Sequence, residues 1–360
     1  MRRKNDYLPI VHLVENFIKE SESRRRLQKN GALISFTTIK NYKALLLSLV
    51  RFEEHTKKQW MFNINYTYSK GGFLKEGKHY KTFYLKYTSF MYAQGHVDNT
   101  VGMHIKILRS VFIYSMSSKG YEMGIFYKEF YARKEEIPII VLNQEQLKFL
   151  IHNKEFEKQL SPKLKTIKDI FVIGCTIGLR FSDLIALRKI NIQKTKDSTY
   201  ITNNSQKTNA FTRIKIPEYI SVILEKYNGK QKKLLPEMSL SYFNNEAKKM
   251  AELAGWTDEI GKIRCKRGVK KDVKTFGGKT YRFCDHISSH VMRRTAITTL
   301  LVLGMAESLV RKISGHSPNS KEFYKYVKYS DSFLDEQTDR VFGMLGMRAL
   351  VTMPMAISPV

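Results

Sequence analysis

"SSHVMRRTAITTL", residues 288–300, is the stretch on which the reading of this chain turns. His290 stands three residues before Arg293, so on a helix the two project from one face. Arg294 is read as pointing elsewhere, toward a salt bridge. Further on comes "SGHSPNSKEFYKYVKYS", residues 314–330, with His316 followed by Tyr324, Tyr326 and Tyr329. Taken singly, these are ordinary features: a surface histidine, a structural arginine, a turn histidine behind Gly315, packing tyrosines.

Upstream, "GCTIGLRFSDLIAL" places Arg180 just after an apolar helix and a glycine break, with Asp183 three residues on. A charged group there is either exposed or deliberately paired, and an Arg–Asp surface pair stabilises little. Lys207 lies in "NNSQKTNAFTRIKIP", between two strand-like runs. A lysine at a hairpin tip is either plainly solvated or, with a depressed pKa, a general acid. A phosphodiester unifies these residues. Its transition state carries negative charge on non-bridging oxygens, which a planar, always charged guanidinium fork matches. A tyrosine beside positive groups can serve as a covalent nucleophile.

Composition points to the same polymer. Among 360 residues there are 62 Lys plus Arg against 33 Asp plus Glu, a formal charge of +29, spread along the chain and interleaved with 20 Tyr and 21 Phe. Such an excess calls for a polyanion, with nucleic acid ahead of a ribosomal or membrane-surface role. A hydrophobic share of 42% allows full cores and excludes global disorder. Cys175, Cys265 and Cys284 form no CxxC pair and suit no zinc site; their sparse, odd count fits a reducing cytoplasm. Arg2, Arg3 and Lys4 resemble a signal-peptide start, but Glu15, Lys19 and Glu20 interrupt any apolar region behind them. Arg348 and two prolines argue against a membrane anchor in the apolar tail.

Periodicity divides the chain. Residues 1–31 read as a short amphipathic helix and a basic segment in which Arg24, Arg25 and Arg26 are either a solvated connector or phosphate contacts. Residues 32–130 read as an all-helical unit, with helices opening at Ser35, covering "KTFYLKYTSFMYAQG" and running from Asn99 to Gly120. Lys106 and Arg109 sit one turn apart on a polar face suited to DNA. A linker is expected at 131–142, where a charged run and Pro138 interrupt the helical period. Residues 143–340 follow as a mixed domain, and 341–360 as a tail. Within the mixed domain, "STYITNN" and "TRIKIP" read as strands, and "KRGVKKDVKTFGGKTYRF" as a basic hairpin turning at Gly277-Gly278.

In chain order the set is Arg180, Lys207, His290 with Arg293, His316, then tyrosine. The segments "TIGLRFSDLIALR", "SHVMRRTAITTLL" and "KISGHSPNSKEFYKYVK" resemble the tyrosine recombinase, or phage integrase, family over roughly residues 142–340. The helical unit resembles that family's core-binding, SAM-like domain, and the whole looks most like integrases of Bacteroides- and Flavobacterium-type mobile elements. The resemblance implies a mainly α fold with a small sheet in the C-terminal domain, and a site-specific recombinase acting through a 3′-phosphotyrosyl link without metal or ATP. No P-loop or HExxH motif stands against that. It implies that Arg180 and Arg293 clamp the scissile phosphate and that His290 assists proton transfer. Lys207 would protonate the leaving 5′ oxygen, His316 would support the phosphate, and Asp183 would orient Arg180. The nucleophile commonly lies nine residues past the histidine of the GH pair, which here is Lys325; the match in "FYKYVK" selects Tyr326, one residue later. Duplex DNA, self-assembly as a tetramer on DNA and accessory DNA-bending proteins are the implied partners, without a membrane, in a bacterial or phage-encoded cytoplasmic, nucleoid-associated setting. A helix after Tyr326, with Phe333, Val341 and Phe342, is implied to dock on a neighbouring protomer. A catalytically silent DNA-binding protein and a type IB topoisomerase-like enzyme are the alternatives.

Overall fold

Two units make up the chain in the computed structural model: Met1–Ile137 with Lys262–Val273, and Pro138–Gly261 with Lys274–Val360. Residues 7–343 are described apart from positions 29, 67, 207–209, 230–231, 318–319, 328, 331–337 and 340–341. The segment after Tyr326 invoked for docking, with Phe333 and Val341, lies largely outside the described residues.

In the first unit, β1 (Tyr7–Pro9) pairs antiparallel with β2 (Met61–Asn63), and α1 (Ile10–Glu22) leads directly out of β1. The three- and four-residue spacing of Ile10, Leu13, Val14 and Phe17 makes one apolar stripe, and all four are buried. They enter the same core as α2 (Phe36–Thr56), α3 (Lys70–Ala93) and α4 (Asp98–Lys119). Residues 1–31 are therefore not a separate module as far as they are described, because α1 cannot bury its stripe without α2 and α4. Ser35 caps α2, its Oγ accepting from Thr38 N–H at 3.2 Å. Helix α3 begins a full three turns before the expected start. Gly71, Gly72 and Gly77 lower its helix propensity, but Ser69 caps it through Gly72 N–H at 3.1 Å. Trp60, Phe62, Tyr80, Phe83 and Phe112 fill the centre, mostly edge to face.

The second unit opens with α5 (Gln144–His152), held by a capping box between Asn143 and Gln146, and α6 (Lys154–Gln159). Then comes α7 (Pro162–Ile177), with proline in its first turn and a stop at Gly178, whose φ of 66° needs no Cβ. Ile170–Cys175 is buried throughout, so α7 is the central helix of this core. The short α8 (Phe181–Ile185) follows, then an antiparallel sheet of β3 (Ile192–Lys194), β4 (Thr199–Asn204) and β5 (Phe211–Ile216) in that order. At three residues β3 is too short to show alternation in sequence. Next are α9 (Glu218–Glu225), α10 (Leu240–Leu253), α11 (Phe283–His286), α12 (Ser289–Val302), α13 (Glu307–Ser314) and a helical stretch at 321–327. Helix α12 lies against α7 so closely that a Cβ on Gly174 would overlap the Met292 thioether.

The hairpin β6 (Lys262–Lys266) and β7 (Val269–Val273) departs from the sequence expectation twice. It turns at Arg267-Gly268, not at Gly277-Gly278. Both turn residues have positive φ, 55° and 81°, which is the two-residue geometry that suits the twist of paired strands. Gly278 instead serves a separate turn in which Thr275 N–H donates to the Lys279 carbonyl at 2.9 Å. The hairpin also belongs to the first unit, although its sequence lies inside 143–340. Asp98, 2% exposed at the start of α4, accepts Arg267 N–H and Gly268 N–H at 2.8 Å each, and Tyr92 Oη–H at 2.7 Å. Buried Glu135 accepts Arg264 Nε–H at 2.9 Å and the Cys265 N–H. The expected linker at 131–142 thus carries a buried carboxylate and is not merely a solvated tether.

Candidate active site

Arg293 is the most enclosed member of the site. It lies on the face of α12 that meets the end of α7 and the end of α13. Its Nη1 donates to the Gly178 carbonyl at 2.8 Å and its Nη2 to the Ser314 carbonyl at 2.6 Å, and the residue is 5% exposed. The left-handed glycine that ends α7 is thus one of its anchors. Burial, and then the charge of Arg180, push the Arg293 guanidinium down to about 10, while Tyr326 and Asp183 act in the opposite direction. It stays cationic near neutrality, in surroundings that favour an anion.

Arg180 precedes α8 and is half-buried. Its Nη1 donates to Ser205 Oγ at 3.0 Å. Ser205 Oγ–H in turn donates to Asp183 Oδ2 at 3.1 Å, and Asp183 Oδ1 accepts Gln206 N–H at 3.1 Å. Asp183 therefore acts on Arg180 through Ser205 and makes no direct bond to it. Ser205 lies at the end of β4, some twenty residues from both partners in sequence. Only its position beside the β4–β5 turn could have signalled it.

His316 follows Gly315, the left-handed residue that ends α13. Ser314 Oγ–H donates to the Val310 carbonyl at 2.7 Å, so it accepts from His316 Nδ1, 2.8 Å away. This assigns the proton to Nδ1 and makes Nε2 the acceptor, which faces Arg293 Nη2 at 3.4 Å. Burial, followed by Arg293, Arg180 and Arg311, pushes the His316 pKa down to about 4, so the ring is neutral at pH 7. His290 is exposed near the start of α12. Its pKa is lowered by desolvation on the side facing the protein and by the charges of Arg294, Arg293 and Arg180.

Tyr326 and Tyr324 separate clearly. Tyr326 is 7% exposed, with its ring centroid 6.1 Å from that of His316. Tyr324 is 55% exposed and carries Arg311 over its ring at 4.9 Å. Two residues apart on a helix point about 200° from one another, and here Tyr326 takes the side toward His316 and Arg293. Arg180, His290, Arg293, His316 and Tyr326 thus come together, with Asp183 behind Ser205. Lys207 lies outside the described residues.

The expected DNA contacts divide. Lys106 is exposed and Arg109 half-exposed on α4. Arg24 is exposed. Arg25 bonds Glu20, with Nε–H to Oε2 at 2.7 Å. Arg26 lies over Phe17 at 3.9 Å and donates to Ser21 Oγ at 3.2 Å. Arg25 and Arg26 are thus engaged within the protein. Among the described residues no group of three or more His, Cys, Asp or Glu side chains could hold a metal ion, and no helix is long and apolar enough to cross a membrane.

The fold is that of the tyrosine recombinase catalytic domain joined to a helical unit. The sequence matches the model of the phage integrase family over residues 141–332, more than half the chain, and the protein belongs to that family. Its structure is similar to an XerH site-specific recombinase bound to a palindromic difH substrate, at 14% identity and a TM-score of 0.57, covering 91% of this chain and 94% of that one. It is similar to the Tn1549 transposon integrase in complex with a circular intermediate DNA, at 14% identity, a TM-score of 0.59, and coverage of 89% and 95%. Lambda integrase bound to DNA matches at 12% identity and a TM-score of 0.55, over 87% of this chain and 93% of the other. Among curated proteins none matches the sequence.

Proposed function

We propose that this protein is a site-specific DNA recombinase that cuts and rejoins duplex DNA through a tyrosine-linked intermediate. The observation that carries the reading is the convergence of Arg180, Arg293, His290 and His316 with a buried tyrosine, Tyr326. In this reading Arg180 and Arg293 bind the non-bridging oxygens of the scissile phosphate. Their fixed donors stabilise the charge that develops as Tyr326 Oη attacks phosphorus. A new P–O(Tyr) bond forms and the bond to the 5′ oxygen breaks, so the phosphodiester's energy is kept for religation. The phenol proton passes toward the neutral histidines, of which His316 lies with its ring centroid 6.1 Å from that of Tyr326. The 5′ oxygen takes a proton from Lys207, a role implied by the family resemblance.

The formal charge of +29 supports duplex DNA as substrate. A solved lambda integrase tetramer sits on a Holliday junction. By analogy, tetrameric assembly on DNA is the working form, with accessory DNA-bending proteins as further partners. The motif resemblance to integrases of Bacteroides- and Flavobacterium-type mobile elements supports a bacterial or phage-encoded, nucleoid-associated protein. Family membership and the full set of phosphate-handling residues weigh against a silent DNA-binding protein.

The test is a suicide duplex, nicked so that cleavage releases a short fragment and traps the covalent complex. Wild-type protein should accumulate a protein–DNA adduct and, on paired sites, exchange strands. Binding without adduct would favour the silent reading, and relaxation of supercoils without exchange the topoisomerase-like one.

A further inference from the structure

Arg294 is the charged residue beside the site that the account above leaves without a task. It follows His290 by four positions on α12, so both lie on one side of the helix, with Arg293 one step round. The guanidinium of Arg294 has no hydrogen bond or ion pair among the described residues, and its Nε–H is sealed from solvent without an acceptor. The other enclosed arginines are not left so. Arg293 has two carbonyls, Arg180 has Ser205, and Arg264 has Glu135. The half-buried Arg294 keeps its two Nη groups toward solvent, while its sealed Nε–H has lost hydration with no acceptor to offset it.

Among the described residues the carboxylates at the site are already engaged. Asp183 is occupied by Ser205 and Gln206, and Glu322 pairs with Lys325 at 2.9 Å. Arg294 also ranks ahead of Arg293 and Arg180 among the charges that lower the His290 pKa, which fits its place next to that ring. Three guanidiniums around one histidine exceed what a single phosphate uses, and a DNA strand offers another phosphate at every nucleotide.

We propose that Arg294 binds the backbone phosphate adjacent to the scissile one, registering the strand beside His290. This rests on the strand-transfer reading. Arg293 grips the reacting phosphate from within the protein, and Arg294 holds the next one at the rim of the site, where its free fork makes paired hydrogen bonds to phosphate oxygens.

The test is a cycle between Arg294 and single neutral phosphates. Duplexes containing the mapped cleavage position receive one methylphosphonate at each flanking phosphate in turn. Single-turnover cleavage and affinity are then measured for wild type, Arg294→Ala and Arg294→Lys. On unmodified DNA, Arg294→Ala should lose on the order of 10-fold or more, as for a hydrogen bond to a charged group. Lysine should recover part of this through charge without the fork. At one flanking position wild type should fall to the mutant's level and the mutation should add nothing further. Additive losses at every flanking position, or no loss in Arg294→Ala, would overturn the proposal. Thermal melts report folding; if the alanine variant does not fold, Arg294→Gln takes its place with the same two outcomes. Additive losses alongside intact Tyr326-dependent cleavage would sink this inference alone, whereas covalent product from Tyr326→Phe would sink the reading beneath it.

Discussion

Replacing Ser205 with alanine removes one oxygen and tests how Arg180 is held. In the structure that oxygen accepts from Arg180 Nη1 at 3.0 Å and donates to Asp183 Oδ2 at 3.1 Å. Hydrogen bonds to charged groups contribute roughly 1.5–3 kcal/mol each. Arg180 is half-buried, so water replaces part of the lost contact and the low end applies. About 1.5 kcal/mol lost from the positioned guanidinium corresponds to roughly 10-fold in rate. Asp183, 2% exposed, keeps Gln206 N–H but loses its second partner, so stability should fall by about 1.5 kcal/mol as well. Duplex affinity should stay almost constant, because the remaining basic surface carries it. The assay is single-turnover cleavage of a suicide duplex beside a binding titration and urea melts. Asp183→Ala and Ser205→Ala should lose rate non-additively, since both reach Arg180 by one path. An unchanged cleavage rate in Ser205→Ala, or equal losses of binding and cleavage, would refute the relay.

Three further outcomes are expected. Arg293→Ala should lower cleavage by at least about 100-fold while leaving duplex binding nearly intact, as for other groups stabilising transition-state charge; single-turnover rates and titrations on one duplex decide it. Asp98→Asn should destabilise the first unit by about 3 kcal/mol, because Arg267 N–H and Gly268 N–H point at different carboxylate oxygens and one of these becomes a donor NH2, and limited proteolysis should then cut the β6–β7 hairpin first. The folded-state pKa of His316, about 4, lies below the ordinary value of about 6.5, so the unfolded chain binds more protons between the two. Stability from this group is full above pH 6.5 and is lost as pH falls toward 4; urea melts across that window should flatten in His316→Gln.

What was legible in the sequence was mostly local. Ser35, Gly120, Gly178 and Gly255 marked helix ends because caps and left-handed residues act within one turn. The set Arg180, His290, Arg293, His316 and Tyr326 comes from the family resemblance of three segments, since local patterning leaves each residue ordinary by itself. The Ser205 relay was not legible, since it joins β4 to α8 across more than twenty residues. The hairpin turn was misassigned because Gly277-Gly278 is the stronger composition signal, while Arg267 adopts positive φ within a ladder that only pairing reveals. Its attachment to the first unit depends on Asp98 and Glu135, more than a hundred residues earlier. Nothing local to either carboxylate names its partner. Reading Arg294 as pointing elsewhere overlooks its four-residue spacing from His290, which puts the two on one side of a helix.

The central claim is that Tyr326, enclosed beside His316, forms the bond to DNA. Trapping the adduct on a suicide duplex, digesting it and sequencing the nucleotide-bearing peptide tests this most directly. The account predicts the nucleotide on Tyr326, no adduct from Tyr326→Phe despite retained folding and DNA binding, and full adduct from Tyr324→Phe. Recovery of the nucleotide on Tyr324 or Tyr329, or an undiminished adduct from Tyr326→Phe, would contradict it.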